Sequence, residues 1–376
     1  MKYFTAKIQL NRNYLLGLAL FWFPSFLLAQ GTEQLDLAPQ QLHQIDSVCL
    51  QQVSVLHYPG LAIGVTYQDK GIWTNGYGYS HLEEKKPVDP NEDLFRIGSI
   101  SKSITAMALA RLVEEHKINL DVPISTYYKE VPADKSMLTL RQIGGHLAGI
   151  RHYKFLEFFS NLHYNNVTDP LEVFIHDSLE SIPGTQYGYS TYGWTLISAV
   201  MEKATGIPFL QIMNQEVVDE LKVWDLKADQ VDSLRYPRVG FYDYQDSTFN
   251  PSPTVDISNK WAGGGFLCTA DDLLRIGHAL IHPGYLQATT LQTFTASQQQ
   301  ADGQLTNYGI GIRTGKDQKG RSWIGHSGGS IGGTSMMLVY PEEDLVVVTL
   351  INLTSANMDD LAFKIADIVL HNGKDH

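Results

Sequence analysis

Three short clusters in this chain hold residues able to do chemistry. The first pairs Ser99 with Lys102 in "FRIGSISKSITAMALARLVEEH", residues 95–116. Ile100, Ile104, Met107, Ala108, Leu112 and Val113 recur there at helical spacing, which predicts an amphipathic helix beginning near Ser99. A capping box would place Glu or Gln three residues after the serine, where a carboxylate reaches back to the cap N–H and suits the positive end of the helix dipole. This chain has Lys102 instead. A cation at that end costs about 0.3–1 kcal/mol, and it sets an amine and a hydroxyl one turn apart on the same face. Desolvation and the dipole both depress a lysine there, so it can serve as a base for the serine. The alternative is a capping serine beside a solvated lysine.

The second cluster is Tyr189, Ser190 and Thr191 in "PGTQYGYSTYGWTLISAVMEKATG". A turn at Pro183 and Gly184 precedes a helix expected to start near Thr191 and stop at Gly206. Tyr189 would either project its phenol into a cleft as a proton shuttle or pack against a helix that Ser190 or Thr191 caps. The third is His326, Ser327, Gly328 and Gly329 in "IGHSGGSIGG". At the end of a strand, the histidine and hydroxyl could meet a substrate while the glycines let it approach the backbone. The Gly329 N–H, paired with that of Ser99, would face a developing oxyanion. The plainer reading is a glycine-rich turn with an exposed histidine.

These clusters must be held by elements that lie far apart in the chain. A helix is expected over Leu37–Val55, then a hairpin formed by "LAIGVTYQD" and "GIWTNGYGYS" around a turn at Lys70. Strands return in "NYGIGIRTG", "SWIGHSGG", "SMMLVYP" and "LVVVTLIN", the last two joined at Pro341–Asp344, and a helix from Met358 to Leu370 follows. The unbroken apolar run "LVVVTLI" reads as a central strand covered on both faces. The pattern predicts an α/β (α+β) fold: a mostly antiparallel sheet flanked by helices, with an inserted mainly helical lobe. The sheet lobe would comprise residues 35–119 and 259–376, and the helical lobe residues 120–258, as one folding unit.

Composition bounds the function. The chain has 376 residues, 43% of them hydrophobic, enough for a large core. Lys2, Lys7 and Arg12 precede the apolar run "YLLGLALFWFPSFLLA", and no acid occurs before Glu33. Residues 1–29 therefore read as a secretory signal peptide cleaved after Ala29, leaving 30–376 as the hydrolase domain of an exported, periplasmic or secreted protein. The run is shorter than the about 18 residues of a spanning helix and contains Pro24, so contact with a membrane is expected only through that signal. A net charge of −12 excludes nucleic acid as a natural partner. Cys49 and Cys268 fit either a disulfide or two separately buried thiols. The two cysteines and thirteen histidines look scattered rather than grouped as zinc ligands, so neither metal nor cofactor is expected. His146 and His152 in "GGHLAGIRHY" could touch a ligand but fit loop ordering, and the aromatics of 155–164 fit packing or a groove wall.

The order of the clusters, Ser-x-x-Lys, then a tyrosine before a helix, then His-Ser-Gly on a strand, resembles the serine beta-lactamase-related family of class C beta-lactamases, DD-peptidases and related esterases. "LRQIGGHLAGIRHY" and "KWAGGGFLCTADDLLRIG" add to the likeness, which runs from about Tyr58 to the C-terminal helix and is nearest to the LACTB-like subgroup. The resemblance implies a beta-lactamase/transpeptidase-like fold and acyl transfer. Ser99 would attack a carbonyl, Lys102 and Tyr189 would move its proton, the Ser99 and Gly329 amides would hold the oxyanion, and His326, Ser327, Gly328 and Thr191 would line the substrate. Two positions depart from the family pattern. Thr191 stands where asparagine is usual, and His326 where lysine is frequent, so peptidase or esterase action on a small-molecule or peptide substrate is expected over penicillin hydrolysis. The rival expectation is a non-catalytic penicillin- or peptidoglycan-fragment-binding protein, or a self-assembling scaffold.

Overall fold

A computed structural model describes residues 34–231, 236–358 and 360–371; the expected signal peptide lies outside them. The described residues form one compact unit. Its centre is a seven-stranded sheet made of β1 (Gly60–Tyr67), β2 (Ile72–His81), β3 (Lys86–Pro87), β4 (Arg313–Lys316), β5 (Ser322–Ser330), β6 (Gly333–Tyr340) and β7 (Leu345–Ile351). The spatial order is β3-β2-β1-β7-β6-β5-β4 with every pair antiparallel. Both ends of the chain thus meet at β1 and β7, where Leu61 faces Ile351 and Tyr67 faces Leu345. The expected central strand is β7, buried at every residue.

Alternation of side chains divides the apolar residues between two cores. Leu61, Ile63 and Val65 join Leu345, Val347 and Ile351 on one face. Helices α1 (Pro39–Val55) and α5 (Leu361–Leu370) cover them through Ile45, Cys49, Leu361, Ile365 and Val369. Ala62, Val346, Val348 and Leu350 look the other way. There they meet α2 (Ile100–Glu114) and α4 (Ala270–His278), while α3 (Thr191–Thr205) extends the same core outward through Trp194, Ile197 and Met201. Cys49 and Cys268 lie in opposite cores as free buried thiols, which decides against a disulfide.

Three expectations need correction. Helix α2 is not amphipathic: Ile100 to Ala110 and Leu112 are all buried. Its polar residues are tolerated because they are bonded. Ser103 Oγ donates to Gly311 O at 2.7 Å and Thr105 Oγ1 to Ala262 O at 2.9 Å, while Ser101 Oγ accepts from Phe266 N–H at 3.2 Å. The strand expected in "NYGIGIRTG" begins only at Arg313. The preceding residues form a tight turn in which Gly309 N–H reaches Ile312 O at 2.8 Å and Gly311 N–H reaches Gly144 O. The stretch 120–258 is helical mainly in α3 and otherwise holds short turns of helix, with a hairpin of Tyr242–Gln245 and Thr248–Pro251. No helix among the described residues is long and apolar enough to cross a membrane.

Candidate active site

The segment before α2 is clamped from two sides. Phe95 and Arg96 pair with Cys268 and Leu267. On the other side Ile97 O accepts from Ser335 Oγ at 2.8 Å. Gly98 has φ +49° and no room for a side chain, since a Cβ there would lie 2.6 Å from Gly329 N. That absence lets β5 run directly beside the residue preceding Ser99. The N–H groups of Ile100, Ser101 and Lys102 bond back to the carbonyls of Ile97, Gly98 and Ser99 in a tight 3₁₀ turn. The first donors of α2 are therefore satisfied by backbone, and the Ser99 side chain caps nothing. Its hydroxyl is left for other work.

That hydroxyl lies 3.1 Å from Lys102 Nζ. The amine also contacts Thr191 Oγ1 at 3.1 Å and Gly263 O. Lys102 is 0% exposed, and no carboxylate is among its partners in the described residues. Burial, then the positive charges of Arg313 and Lys260, hold its pKa well below the lysine range. The glycines of "WAGGG" make the contact with Gly263 possible: a Cβ on Gly263 would lie 2.5 Å from Thr191 Cγ2.

Helix α3 brings the second cluster. Ser190 caps it, accepting from Gly193 N–H at 3.1 Å while donating to Arg151 O at 2.7 Å. The next two donors go to histidines of "GGHLAGIRHY": Ser190 N–H to His146 Nδ1 at 3.1 Å and Thr191 N–H to His152 Nδ1 at 3.2 Å. An imidazole that accepts at Nδ1 is neutral with its proton on Nε2. His146 is pushed well below the usual histidine range and His152 to about 4, chiefly by desolvation and secondly by Lys102. The loop-ordering reading of both histidines thus has a concrete form, as they cap a helix N-terminus. Tyr189, just before that helix, has its ring 4.9 Å from Lys102 Nζ. Burial pushes its phenol up to about 12, and a hydrogen bond to Ser99 pulls the other way. It is a neutral phenol beside the serine.

Strand β5 supplies the third cluster, divided by its alternation. Ser327 and Gly329 are exposed, whereas His326 and Gly328 are buried. Nothing lies within 4 Å of where a Gly329 Cβ would point, so this residue borders open space. Gly328 packs instead on Ile97 O. His326, expected to line the substrate, or on the plainer reading to be exposed, is instead fully buried, with Nε2 2.9 Å from Tyr308 Oη and Nδ1 2.6 Å from Ser327 O. The carbonyl requires a proton on Nδ1, so Tyr308 donates to Nε2 and the ring is neutral. Desolvation, Lys102 and Arg313 keep its pKa well below the usual value.

The fold also adds residues that the motifs did not single out. Arg313, the first residue of β4, stacks its guanidinium 5.7 Å from the Tyr189 ring and 5.9 Å from that of Tyr308, and its buried Nε has no hydrogen-bond partner. Lys260 is 5% exposed beneath Tyr153 and Phe158, with a pKa brought down to about 8, mostly by burial. His146 Nε2 is buried without a partner among the described residues, its ring 4.4 Å from Tyr189 and 4.6 Å from Tyr308. Gly263 and Lys260 fall in the "KWAGGGF" segment noted above; Arg313 carried no signal, because its run read as an ordinary strand.

An amine without a counter-charge, a hydroxyl in contact with it, a neutral phenol and a glycine-bordered opening thus converge from three distant parts of the chain. Residues 49–370 match the Beta-lactamase family. The chain belongs to the Beta-lactamase family. It is 29% identical to human "Serine beta-lactamase-like protein LACTB, mitochondrial" over 82% of this chain and 76% of that protein. Among solved structures it resembles a D-stereospecific amidohydrolase from Streptomyces, at a TM-score of 0.70 and 22% identity, covering 85% of this chain and 97% of that one. It also resembles a Beta-Lactamase/D-Alanine Carboxypeptidase from Pseudomonas syringae, at 0.73 and 17%, covering 89% and 99%. These two likenesses establish the fold, a mixed α/β architecture with an antiparallel sheet between helices.

Proposed function

We propose that this protein is an exported serine hydrolase that forms an acyl-enzyme on Ser99 and cleaves amide or ester bonds. One observation carries the reading. A lysine 0% exposed, bonded only to neutral oxygens, lies 3.1 Å from the hydroxyl of a partly exposed serine. Neutral Lys102 takes the Ser99 proton as Oγ forms its bond to the substrate carbonyl carbon. The carbonyl oxygen takes up negative charge against the N–H groups of Ser99 and Gly329. When the tetrahedral centre collapses, the amide C–N or ester C–O bond breaks, and the leaving group receives the proton from Lys102, directly or through Tyr189. Water then cleaves the acyl–Oγ bond and restores the serine.

Substrate class follows from charge. His326 is neutral, so Arg313 is the permanent cation beside Tyr189, and its guanidinium is the positive charge an anionic group would meet. This supports a substrate carrying a carboxylate near the scissile bond, as a peptide C-terminus does, and a peptidase or an esterase for such acids. The names of the two structural neighbours, an amidohydrolase and a carboxypeptidase, point the same way.

The test is intact-protein mass spectrometry after exposure to a fluorophosphonate and, separately, a penicillin. An adduct on the wild type that is absent from Ser99→Ala establishes the nucleophile. Folded wild type that takes up neither reagent would overturn the enzyme reading in favour of a binding protein or scaffold.

A further inference from the structure

At the end of the sheet formed by the turns at 68–71 and 341–344, two histidines and two aspartates converge. Helix α4 ends at His278 and one further turn carries His282, whose N–H bonds to His278 O at 3.1 Å. The two imidazoles stand at i and i+4, stacked with ring centroids 3.9 Å apart. Asp69 comes from the β1–β2 turn and Asp344 from the β6–β7 turn. These turns are neighbours because β1 pairs with β7, and Gln68 N–H donates to Asp344 O at 2.8 Å. Both aspartates have φ near +52°, the left-handed turn conformation that lifts their side chains toward the helix end. His278 Nε2 is 3.2 Å from Asp69 Oδ1, and His282 Nε2 is 2.7 Å from Asp344 Oδ1.

We propose that this cluster is a binding site for a zinc-class divalent cation, held by His278, His282 and Asp69, with Asp344 beside His282 Nε2 as fourth ligand. The ligand atoms of His278, His282 and Asp69 all lie within 4.8 Å of one another. Tetrahedral bonds of about 2.0–2.2 Å hold ligand atoms about 3.3–3.6 Å apart, so to admit an ion His278 and Asp69 open by a few tenths of an ångström and His282 and Asp344 by about 0.6–0.9 Å. Two imidazoles presenting Nε2 from successive turns are the arrangement that zinc sites on helices use. Without an ion each Nε2 donates its proton to a carboxylate oxygen; on binding, the proton moves to Nδ1 or to solvent and the Nε2 lone pair takes the ion beside the carboxylates. Imidazole nitrogens favour zinc, nickel and copper over magnesium and calcium. The expectation of no metal rested on histidines that looked scattered; the i, i+4 pair was legible in the chain, but the two aspartates are contributed by turns more than 200 and more than 60 residues away in the numbering.

The site lies at the opposite end of β7 from Leu350 and Ile351, which pair with Ser335 and Thr334 beside the Ser99 segment. It is therefore distinct from the catalytic cluster and ties the α4 terminus to two hairpin turns. The test is isothermal titration of metal-stripped full-length protein with Zn²⁺, with Mg²⁺ as control, alongside thermal unfolding. One Zn²⁺ per chain is expected, with Mg²⁺ silent and a Tm that rises with Zn²⁺. The variants His278→Ala and His282→Ala should each lose binding, and Asp69→Asn should weaken it about 10–100-fold. Ser99→Ala should bind as wild type does. No Zn²⁺ uptake by the wild type, or equal uptake by the His278→Ala/His282→Ala double variant, would overturn the proposal. Co²⁺ absorption of a tetrahedral nitrogen–oxygen site in the wild type, absent from the double variant, reports the same ligands independently of affinity.

Discussion

Arg96 and Lys102 sit six residues apart, both cationic by type and both buried, at 5% and 0% exposure. Their surroundings are opposite. Arg96 Nε is 2.7 Å from Asp229, its NH1 donates to Ile331 O at 2.7 Å, and the guanidinium lies 4.1 Å from the Phe241 ring. Asp229 is shared with Arg238 at 3.1 Å. Lys102 meets three oxygens, none of them charged. A buried cation given a carboxylate keeps its proton and fastens structure. One given only neutral oxygens is poised to lose its proton. The first locks the strand that leads into Ser99, and the second has the surroundings that the proposed acylation asks of a base.

Exchanging each for methionine separates the two roles. Lys102→Met should lower the rate of Ser99 acylation by about 10²–10⁴-fold, the usual worth of a positioned base, read as the burst rate with an activated ester. Its Tm should hold or rise, because an uncompensated buried amine is replaced by an apolar chain of similar length. Arg96→Met should do the reverse to the fold. It leaves the buried Asp229 with Arg238 as its remaining ion-pair partner, and a clear loss in urea unfolding is expected, below the about 3–5 kcal/mol of a fully unpaired buried charge. If Arg96→Met were as stable as the wild type, the contrast between the two cations would fail.

The same contrast has a pH signature. Lys102 has a folded-state pKa below its unfolded value, so the native chain binds fewer protons than the unfolded one over the interval between the two. Stability contributed by this group therefore rises with pH across that interval, by at most about 1.4 kcal/mol per unit. Acylation should climb as pH rises through the depressed pKa and then level off. In Lys102→Met the stability slope should flatten; Lys260, brought down to about 8, leaves a smaller slope of the same sign. An acylation profile independent of pH from acid to alkaline in the wild type would mean that the base lies elsewhere.

Much of this was legible in the chain because it is local. Ser99 and Lys102 belong to one turn, Ser190 and Thr191 start one helix, and the unbroken apolar runs "LVVVTLI" and "LAIGV" belong to single strands. What was hidden depends on contact at long range. The polar positions of α2 gave no sign that Gly311 and Ala262 would satisfy them, so the helix read as amphipathic. His326 read as a residue open to substrate because its burial depends on Tyr308, held by the turn at 307–312 that the strand pattern concealed. Arg313 needed both that turn and the position of Tyr189 to be recognised as a cation beside the candidate site.

Thr191 is the finest probe of the comparison. Its hydroxyl is one of the three oxygens around Lys102, at 3.1 Å, and the Tyr153 phenol bonds to the same side chain. Thr191→Val deletes one acceptor and leaves Gly263 O and Ser99 Oγ in place. Loss of an acceptor disfavours the ammonium, so the amine's pKa should fall further and the rising limb of the acylation profile should move to lower pH. Only one hydrogen bond of about 1 kcal/mol is removed, so the plateau rate should fall by no more than about tenfold. Thr191→Asn, which supplies an amide oxygen as acceptor and an NH₂ as donor, should return the limb toward its wild-type position. A loss in Thr191→Val as large as that in Lys102→Met would show that the hydroxyl takes part in moving the proton, and that Lys102 does not act as the base alone.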